Sequence, residues 1–270
     1  ECDKYINETL GEAGTDGILG MERAYYYIAM KELVKGLSRW CLNYEKHARY
    51  LASIETDEVI RQGYLEIAQV MANIAHKRPA TFREALQMTF LCHLSVVNED
   101  PQSGQSIGRI GQVLQPFFEK DIADGTTTEE EVVELLEFYR LKITCIECFA
   151  SSGVNGGVLS GNTFDNLSLG GLNREGTSAV TRLEYLILEA AMRFKTSQPT
   201  LSVLYDERMP EDFLMKAAAC TKMGMGFPAW MNNQQGMNFM LRNYAPEGMS
   251  IVDARAWCLG GCLESSPGCF

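Results

Sequence analysis

Apolar residues recur at helical spacing through the first third of the chain. Residues 21–51 are rich in residues that favour helices, and residues 57–76 carry an apolar stripe with a period near that of an α-helix. A third helix is predicted to begin after Thr81, whose hydroxyl suits an N-cap, with Glu84 at the spacing of a capping box. The pattern therefore predicts a series of helices at the start of the chain.

Polar breaks then separate further helical patterns. Residues 98–106 contain Asp-Pro and Ser-Gly pairs and are too polar and too interrupted to form a helix. Helices are predicted over about 107–122 and 128–148. The second begins with consecutive glutamates, which suit the positive end of a helix dipole.

The pattern changes after residue 151, where glycines interrupt short apolar segments. Helices are predicted over 180–194, 211–223 and 234–242, and strands over 200–205 and 227–231. Such alternation is typical of βα units around a parallel sheet or barrel. We therefore predict an α/β fold, helical over about residues 1–150 and built of βα units over about 151–270.

Composition and charge narrow the class of protein. The 270 residues include 24 basic and 35 acidic side chains, and the formal net charge is −11. This balance disfavours nucleic-acid binding, which requires a basic surface. The apolar runs are shorter than the roughly 20 residues that span a bilayer. Nine cysteines without a signal-peptide pattern favour reduced thiols, so we predict a cytoplasmic location.

The last residues carry the most informative chemistry. Cys262 and Glu264 lie two positions apart between Gly261 and Gly268, directly after an apolar run. Side chains two apart on an extended segment point to the same side, so the thiol and the carboxylate can face one cavity. A Cys-x-Glu pattern alone is weak, because a buried cysteine often acts as a small apolar residue. The glycines and Pro267 favour a turn that presents the cysteine.

The segment Gly261-Cys262-Leu263-Glu264-Ser265-Ser266-Pro267-Gly268 resembles the cysteine loop of glycyl radical enzymes. Residues 78–87, 108–121, 162–171 and 224–233 resemble other segments of the same family, in the same order. The resemblance implies a pyruvate formate-lyase-like domain, a ten-stranded α/β barrel surrounded by helices. It also implies that this chain is an internal fragment holding the N-terminal and central part, inactive without the C-terminal glycyl radical domain.

The cysteine loop also distinguishes the branches of this family. The pyruvate formate-lyase branch uses two adjacent cysteines, whereas Gly261 and Leu263 flank Cys262 here. Diol dehydratases and the choline-type C–N lyase usually carry proline soon after the glutamate, whereas Ser265 and Ser266 intervene. The loop is more similar to that of the arylacetate decarboxylases. This similarity implies decarboxylation of an arylacetate, with 4-hydroxyphenylacetate giving p-cresol and carbon dioxide as the favoured reaction.

The resemblance assigns roles to four residues. Cys262 would carry a thiyl radical, and Glu264 would exchange the cysteine proton, helped by a pKa that a closed apolar cavity raises. Ser103 would orient the substrate carboxylate, and Phe164 would pack against the ring. Without the resemblance, Ser103 is most simply a turn residue that bonds its own backbone, and Phe164 a core residue.

The implied cofactor is a glycyl radical outside this chain, installed by an S-adenosylmethionine-dependent iron–sulfur activase. No metal is expected in this chain, because Cys145 and Cys148 lack a second pair at zinc spacing. The expected partners are a small aromatic acid, the activase and a small iron–sulfur subunit within an oligomer, with no nucleic acid and no membrane. Two alternatives stay open: a glycyl radical diol dehydratase or choline-type C–N lyase, and a non-catalytic helical scaffold.

Overall fold

The computed structural model describes residues 4, 7, 18–99, 104–150, 165–261 and 264–268. The chain divides into two units, Glu1–Pro79 and Ala80–Phe270. The first unit contains helices α1 (Ile18–Ile54) and α2 (Glu58–Ile74), which lie against each other. Asp57 caps α2 by accepting hydrogen bonds from the backbone N–H groups of Val59 and Ile60. These helices confirm the helical prediction for the start of the chain.

The second unit begins with helix α3 (Phe82–Glu99). As predicted, the Thr81 hydroxyl accepts a hydrogen bond from the Glu84 backbone N–H at 3.2 Å. The Glu84 carboxylate bonds back to the backbone N–H of Ala80 at 2.7 Å, one residue before the cap. The first turn of α3 is therefore closed in the manner of a capping box.

Four strands form a parallel sheet, which confirms the predicted α/β class. They are neighbours in chain order: β1 (Ser106–Gly108), β2 (Asn166–Gly170), β3 (Thr200–Tyr205) and β4 (Ala229–Asn232). Three helices connect β1 to β2: α4 (Ile110–Val113), α5 (Gln115–Ala123) and α6 (Glu129–Ala150). Helix α7 (Arg182–Arg193) connects β2 to β3, and helix α8 (Glu211–Lys222) connects β3 to β4.

The sheet begins earlier in the chain than the sequence pattern predicts. The predicted helix over 107–122 is wrong at its start, where β1 ends at Gly108, a glycine with a φ of 74°. Such a left-handed glycine ends regular structure at little steric cost. Pro116 then stands in the first turn of α5, a position that suits proline, and splits the remaining pattern into two helices.

After β4 the chain forms helix α9 (Asn233–Tyr244), a 3₁₀ turn (Ala245–Glu247) and the short helix α10 (Ile251–Arg255). It then enters an antiparallel pair of strands, β5 (Cys258–Gly260) and β6 (Glu264–Ser266). We call β5, β6 and the residues that join them the cysteine hairpin, because Cys262 lies between the two strands in the sequence.

The two faces of the sheet belong to different apolar clusters. Leu201 and Val203 of β3 pack in the larger cluster with the surrounding helices. Leu204, on the opposite face, packs in a second cluster with Trp257 and Leu259 of the segment that forms β5. Successive side chains of a strand point to opposite faces. The cysteine hairpin therefore lies on the face of the sheet opposite to that larger cluster, where α9 and α10 also contribute apolar residues.

Within the described part of the chain, the helices are too short or too polar to cross a membrane.

Candidate active site

The cysteine hairpin is attached to the parallel sheet through Leu259. The Ser106 hydroxyl donates a hydrogen bond to the Leu259 carbonyl oxygen at 2.6 Å. The Leu259 N–H donates to the Ser168 hydroxyl oxygen at 3.0 Å. Ser106 opens β1 and Ser168 lies in the middle of β2, so two neighbouring strands hold one residue of the hairpin.

Two glycines meet where the hairpin turns. A Cβ atom built on Gly261 would lie 3.0 Å from the Gly104 Cα, and a Cβ on Gly104 would lie 3.3 Å from the Gly261 Cα. Both glycines have positive φ angles, 101° for Gly104 and 53° for Gly261. Only glycine at both positions allows this approach without steric conflict. The turn of the hairpin therefore touches the segment that leads into β1.

Arg109 anchors the base of the hairpin. Its side chain is buried, and its Nη1 donates to the carbonyl oxygen of Arg255 at 2.7 Å. Its Nη2 donates to the carbonyl oxygens of Gly170 at 2.6 Å and Leu172 at 3.0 Å. One guanidinium thus joins the end of β2 to the segment just before β5. Burial lowers the pKa of Arg109 to about 10.

Glu184 is the second buried charge-bearing group at this end of the sheet. Its Oε2 accepts a hydrogen bond from the Gly170 N–H at 3.0 Å, and its side chain is fully buried. Burial raises its pKa to about 7, against the smaller opposing effects of Arg109 and of its hydrogen bonds. The absence of a side chain at Gly111 makes room for it, since a Cβ there would lie 2.5 Å from the Glu184 Cγ.

A third buried network holds Trp257, the residue before β5. The indole Nε1 donates to Asn233 Oδ1 at 2.8 Å, and Asn233 Nδ2 donates to Asp206 Oδ2 at 3.0 Å. Asn233 follows β4 and Asp206 follows β3, so both lie at the carboxyl ends of parallel strands. Gly236 leaves space for the indole, because a Cβ there would lie 2.1 Å from its Cζ2.

None of these anchoring residues was among the site residues predicted from the sequence. A signal was present for Asp206, directly after one predicted strand, and for Asn233, two residues after another, because sites of α/β proteins form at such strand ends. Arg109 and Glu184 gave no such signal, because both fall in segments predicted to be helical and charged helical residues are usually exposed.

Of the four predicted site residues, Ser103, Phe164 and Cys262 lie outside the described residues. Glu264 is described and opens β6. Its Oε2 lies over the turn, 2.8 Å from where a Cβ of Gly261 would stand, and the residue is exposed in this chain. The described residues therefore do not enclose Glu264 in the closed apolar cavity that the sequence analysis expected.

Other titratable groups do not form a metal centre in the described ranges, where no cluster of three His, Cys, Asp or Glu side chains could hold a metal ion. Just before the start of β2, His93 and Asp165 form a buried pair, in which the His93 Nε2 and the Asp165 Oδ2 lie 3.3 Å apart. Asp165 directly precedes β2 and follows Phe164 in the sequence.

Comparison with known proteins decides the family. Residues 3–268 match the model of the pyruvate formate lyase-like family. The chain belongs to this family. It is 73% identical, over all of its length, to the 4-hydroxyphenylacetate decarboxylase glycyl radical subunit of Clostridium scatologenes. It is 34% identical over 98% of its length to the indoleacetate decarboxylase of Tractidigestivibacter scatoligenes. The chain spans 30% of the length of each of these relatives.

Solved structures of the family have the same fold. A glycyl radical enzyme from Archaeoglobus fulgidus is 26% identical and superposes with a TM-score of 0.79, over 97% of this chain and 34% of that one. The family resemblance and the α/β barrel predicted from the cysteine loop are confirmed. The four-stranded sheet described above is accordingly part of that barrel.

Proposed function

We propose that the full-length protein containing this chain is a glycyl radical arylacetate decarboxylase that converts 4-hydroxyphenylacetate to p-cresol and carbon dioxide. The identities to relatives named 4-hydroxyphenylacetate decarboxylase and indoleacetate decarboxylase support this class. The structural observation that carries the proposal is the contact between Gly104 and Gly261. These glycines are the chain neighbours of Ser103 and Cys262, so the contact supports a site to which both residues contribute.

The start of β2 supports a place for Phe164 in the same site. The backbone N–H of Asn166 donates to the carbonyl oxygen of Gln105 at 3.2 Å. The segments that carry Ser103 and Phe164 therefore enter adjacent strands side by side. An aromatic wall at this position suits a ring substrate, whereas a polyol site would need several hydrogen-bonding groups.

The hairpin fits the radical chemistry that the family implies. A glycyl radical, when present, supplies the one-electron oxidation that converts the Cys262 thiol to a thiyl radical. Gly261, the residue before Cys262 in the sequence, is in contact with Gly104 of a second segment, as two glycines allow. The protein's own contribution is to place the thiol and exclude water from it.

The proposed reaction is balanced overall, since an arylacetate anion and one proton give the methylarene and carbon dioxide. The Cys262 thiyl takes one electron from the substrate carboxylate, and the bond between the carboxyl carbon and the methylene carbon breaks. Carbon dioxide leaves, and the thiolate formed on Cys262 takes a proton. The benzylic radical then takes the hydrogen atom of the thiol, which gives the methyl group and restores the thiyl.

Glu264 is proposed to supply the proton that the Cys262 thiolate takes. Its carboxylate lies against the backbone turn at Gly261, beside the cysteine in sequence. A general acid must reach the group that it protonates, directly or through one water. Ser103 is proposed to hold the substrate carboxylate with its hydroxyl, and Phe164 to pack against the ring.

The radical and its partners belong to the same proposal. The glycyl radical would lie on a residue outside this chain and would be installed by an S-adenosylmethionine-dependent iron–sulfur activase. The relative from Clostridium scatologenes is named a glycyl radical subunit, which supports a second subunit in the complex. We propose that this is a small iron–sulfur protein and that the complex is oligomeric and cytoplasmic.

The test uses the full-length protein, activated anaerobically by its activase and supplied with 4-hydroxyphenylacetate. We expect p-cresol formation, lost by at least a thousandfold in Cys262→Ala. Cys220→Ala, which removes a buried thiol from α8 far from the hairpin in sequence, is the matched control and should keep activity within about twofold. Consumption of indoleacetate, phenylacetate or glycerol in place of 4-hydroxyphenylacetate would overturn the substrate assignment. Equal activity of the two variants would overturn the role of Cys262.

A further inference from the structure

Leu259 directs both of its backbone polar groups away from its hairpin partner. It stands opposite Ser265 in the β5–β6 pair, where residues alternate between hydrogen-bonded and non-hydrogen-bonded positions. Its carbonyl oxygen accepts from Ser106 and its N–H donates to Ser168, both on the parallel sheet. The hairpin is thus joined to the barrel by two side-chain hydroxyls at a single residue, with β5 and β1 running in opposite directions.

The Ser106 hydroxyl oxygen lies 2.6 Å from the Leu259 carbonyl oxygen and 3.6 Å from the Cys258 Sγ, so the carbonyl is its nearer acceptor. The same hydroxyl oxygen accepts a hydrogen bond from the backbone N–H of Gly108 at 3.2 Å, so its hydrogen is available to the Leu259 carbonyl oxygen. A hydroxyl is one donor and two acceptors, and both kinds of capacity are used here. Alanine at this position would leave the Leu259 carbonyl without this donor.

The Ser168 hydroxyl acts on Leu259 as an acceptor, whereas that of Ser106 acts as a donor. A buried chain of hydrogen bonds orients the Ser168 hydroxyl. This hydroxyl donates to Asn166 Oδ1 at 3.4 Å, which leaves its lone pair for the Leu259 N–H at 3.0 Å. Asn166 in turn donates from Nδ2 to the Ser202 hydroxyl at 2.8 Å. Ser168 and Ser202 are fully buried, so water cannot replace these partners without opening the structure.

We propose that Ser106 and Ser168 are positioning residues that set the register of the cysteine hairpin on the parallel sheet and so place Cys262. A donor and an acceptor that both bond one residue exclude a shift by one residue, because such a shift turns the polar groups and the side chains of a strand to the other side. The catalytic consequence rests on the proposed function, whereas the register itself does not.

Hydrogen exchange at the Leu259 amide tests the register without any substrate. In the full-length protein, we expect Ser168→Ala to accelerate exchange at this amide by about tenfold, because its acceptor is removed. Thr200→Val is the control, since it removes a hydroxyl of the neighbouring strand β3 that bonds the Asp165 carbonyl oxygen rather than the chain of Asn166, Ser168 and Leu259. It should leave the Leu259 exchange rate within about twofold of that of the unmodified protein. Unchanged exchange in Ser168→Ala, or equal acceleration in both variants, would overturn the proposal.

Turnover kinetics test the placement of Cys262 at a position where folding is not at risk. Ser106 is an exposed residue at the start of β1, so alanine leaves no buried cavity there, and threonine keeps the hydroxyl. We expect Ser106→Ala to lower kcat at least tenfold with KM changed less than twofold, and Ser106→Thr to restore most of kcat. A rise in KM with unchanged kcat, or equal losses in the two variants, would overturn the positioning role.

The proposed function and the proposed register of the cysteine hairpin can be refuted independently. If the unmodified, activated protein forms no p-cresol, the proposed function is wrong, while the exchange rate of the Leu259 amide still tests the register. If p-cresol forms normally but the Leu259 amide does not respond to Ser168→Ala, the register proposal alone is wrong.

Discussion

Arg109 donates a hydrogen bond from Nη1 to the carbonyl oxygen of Arg255, the last residue of α10 before the cysteine hairpin. The other terminal nitrogen of the same guanidinium holds the carbonyl oxygens of Gly170 and Leu172. A planar group with several donors in fixed directions can satisfy three carbonyls at once. The position of the proposed catalytic loop therefore depends on an arginine far from it in sequence.

Replacement of Arg109 by lysine is expected to destabilise the protein strongly. Lysine keeps the charge, but its single nitrogen cannot reach all three buried carbonyls, so at least one is left without a donor. The free energy of unfolding should fall by about 2–4 kcal/mol in denaturant titration. Arg182→Lys is the control, because Arg182 pairs with Glu129 on the surface and should lose less than about 1 kcal/mol. Similar losses in the two variants would contradict the anchoring role of Arg109.

Because of Glu184, the free energy of unfolding of the protein is expected to depend on pH. Its pKa is about 7 in the folded chain, above its ordinary value of 4.5, because burial favours the neutral acid. The folded state therefore binds the proton more tightly, and the stabilisation is complete below pH 4.5 and is lost as the pH rises through 7. A shift of this size corresponds to about 3 kcal/mol.

The variant Glu184→Gln removes the ionisable group, so comparison with it isolates the contribution of Glu184 to the free energy of unfolding. From pH 5 to pH 8, the unfolding free energy of the unmodified protein should fall relative to that of Glu184→Gln by about 2.5 kcal/mol, most of the full effect. Glu189→Gln, in the same helix but partly exposed and paired with Lys216, should not reproduce this change. A constant difference between the unmodified protein and Glu184→Gln across this range would contradict the raised pKa.

Gly261→Ala is expected to displace the turn of the hairpin. Its Cβ would lie 2.8 Å from the Glu264 Oε2 and 3.0 Å from the Gly104 Cα, at a φ that alanine adopts only with strain. Turnover by the activated full-length protein should fall at least tenfold. Gly224→Ala carries the same left-handed strain but meets no atom within 4 Å, so it should lose only about 1 kcal/mol of stability and keep its turnover. Equal turnover of the two variants would show that the contact is unimportant.

The packing of Trp257 against α9 requires glycine at position 236. Gly236→Ala should lower the unfolding free energy by about 1–3 kcal/mol, since its Cβ would stand 2.1 Å from the indole Cζ2. Gly63→Ala, in the interior of α2 with no atom within 4 Å, should instead raise stability by about 0.5–1 kcal/mol. Opposite signs in denaturant titration distinguish close packing from helix propensity, and a gain in both variants would refute the packing account.

Local chemistry made some elements predictable from the sequence. The cap at Thr81, the helices of the first unit and the strand at 200–205 follow from short-range patterns and agree with the structure. β2 was not predicted, because it is only five residues long and lies among closely spaced glycines, although its first four residues alternate between polar and apolar types. β1 was read as helix because it is only three residues long and is stabilised by pairing with β2.

Only the part of the candidate site that lies in a local motif was predictable from the sequence. Cys262 and Glu264 were found from a local motif and its resemblance to a family, whereas Arg109, Glu184 and Trp257 act through contacts between segments distant in sequence. No spacing rule reveals such a contact, because it depends on how the strands are ordered in the sheet.

The most direct measurement of the central claim follows the carboxyl carbon of the substrate. The activated full-length protein is given 4-hydroxyphenylacetate labelled with ¹³C at the carboxyl carbon, alongside its Cys262→Ser and Ser103→Ala variants. We expect labelled carbon dioxide and unlabelled p-cresol in equal amounts, no product from Cys262→Ser, and a strong loss from Ser103→Ala. Retention of the label in the organic product, or labelled carbon dioxide from Cys262→Ser at the unmodified rate, would contradict the account.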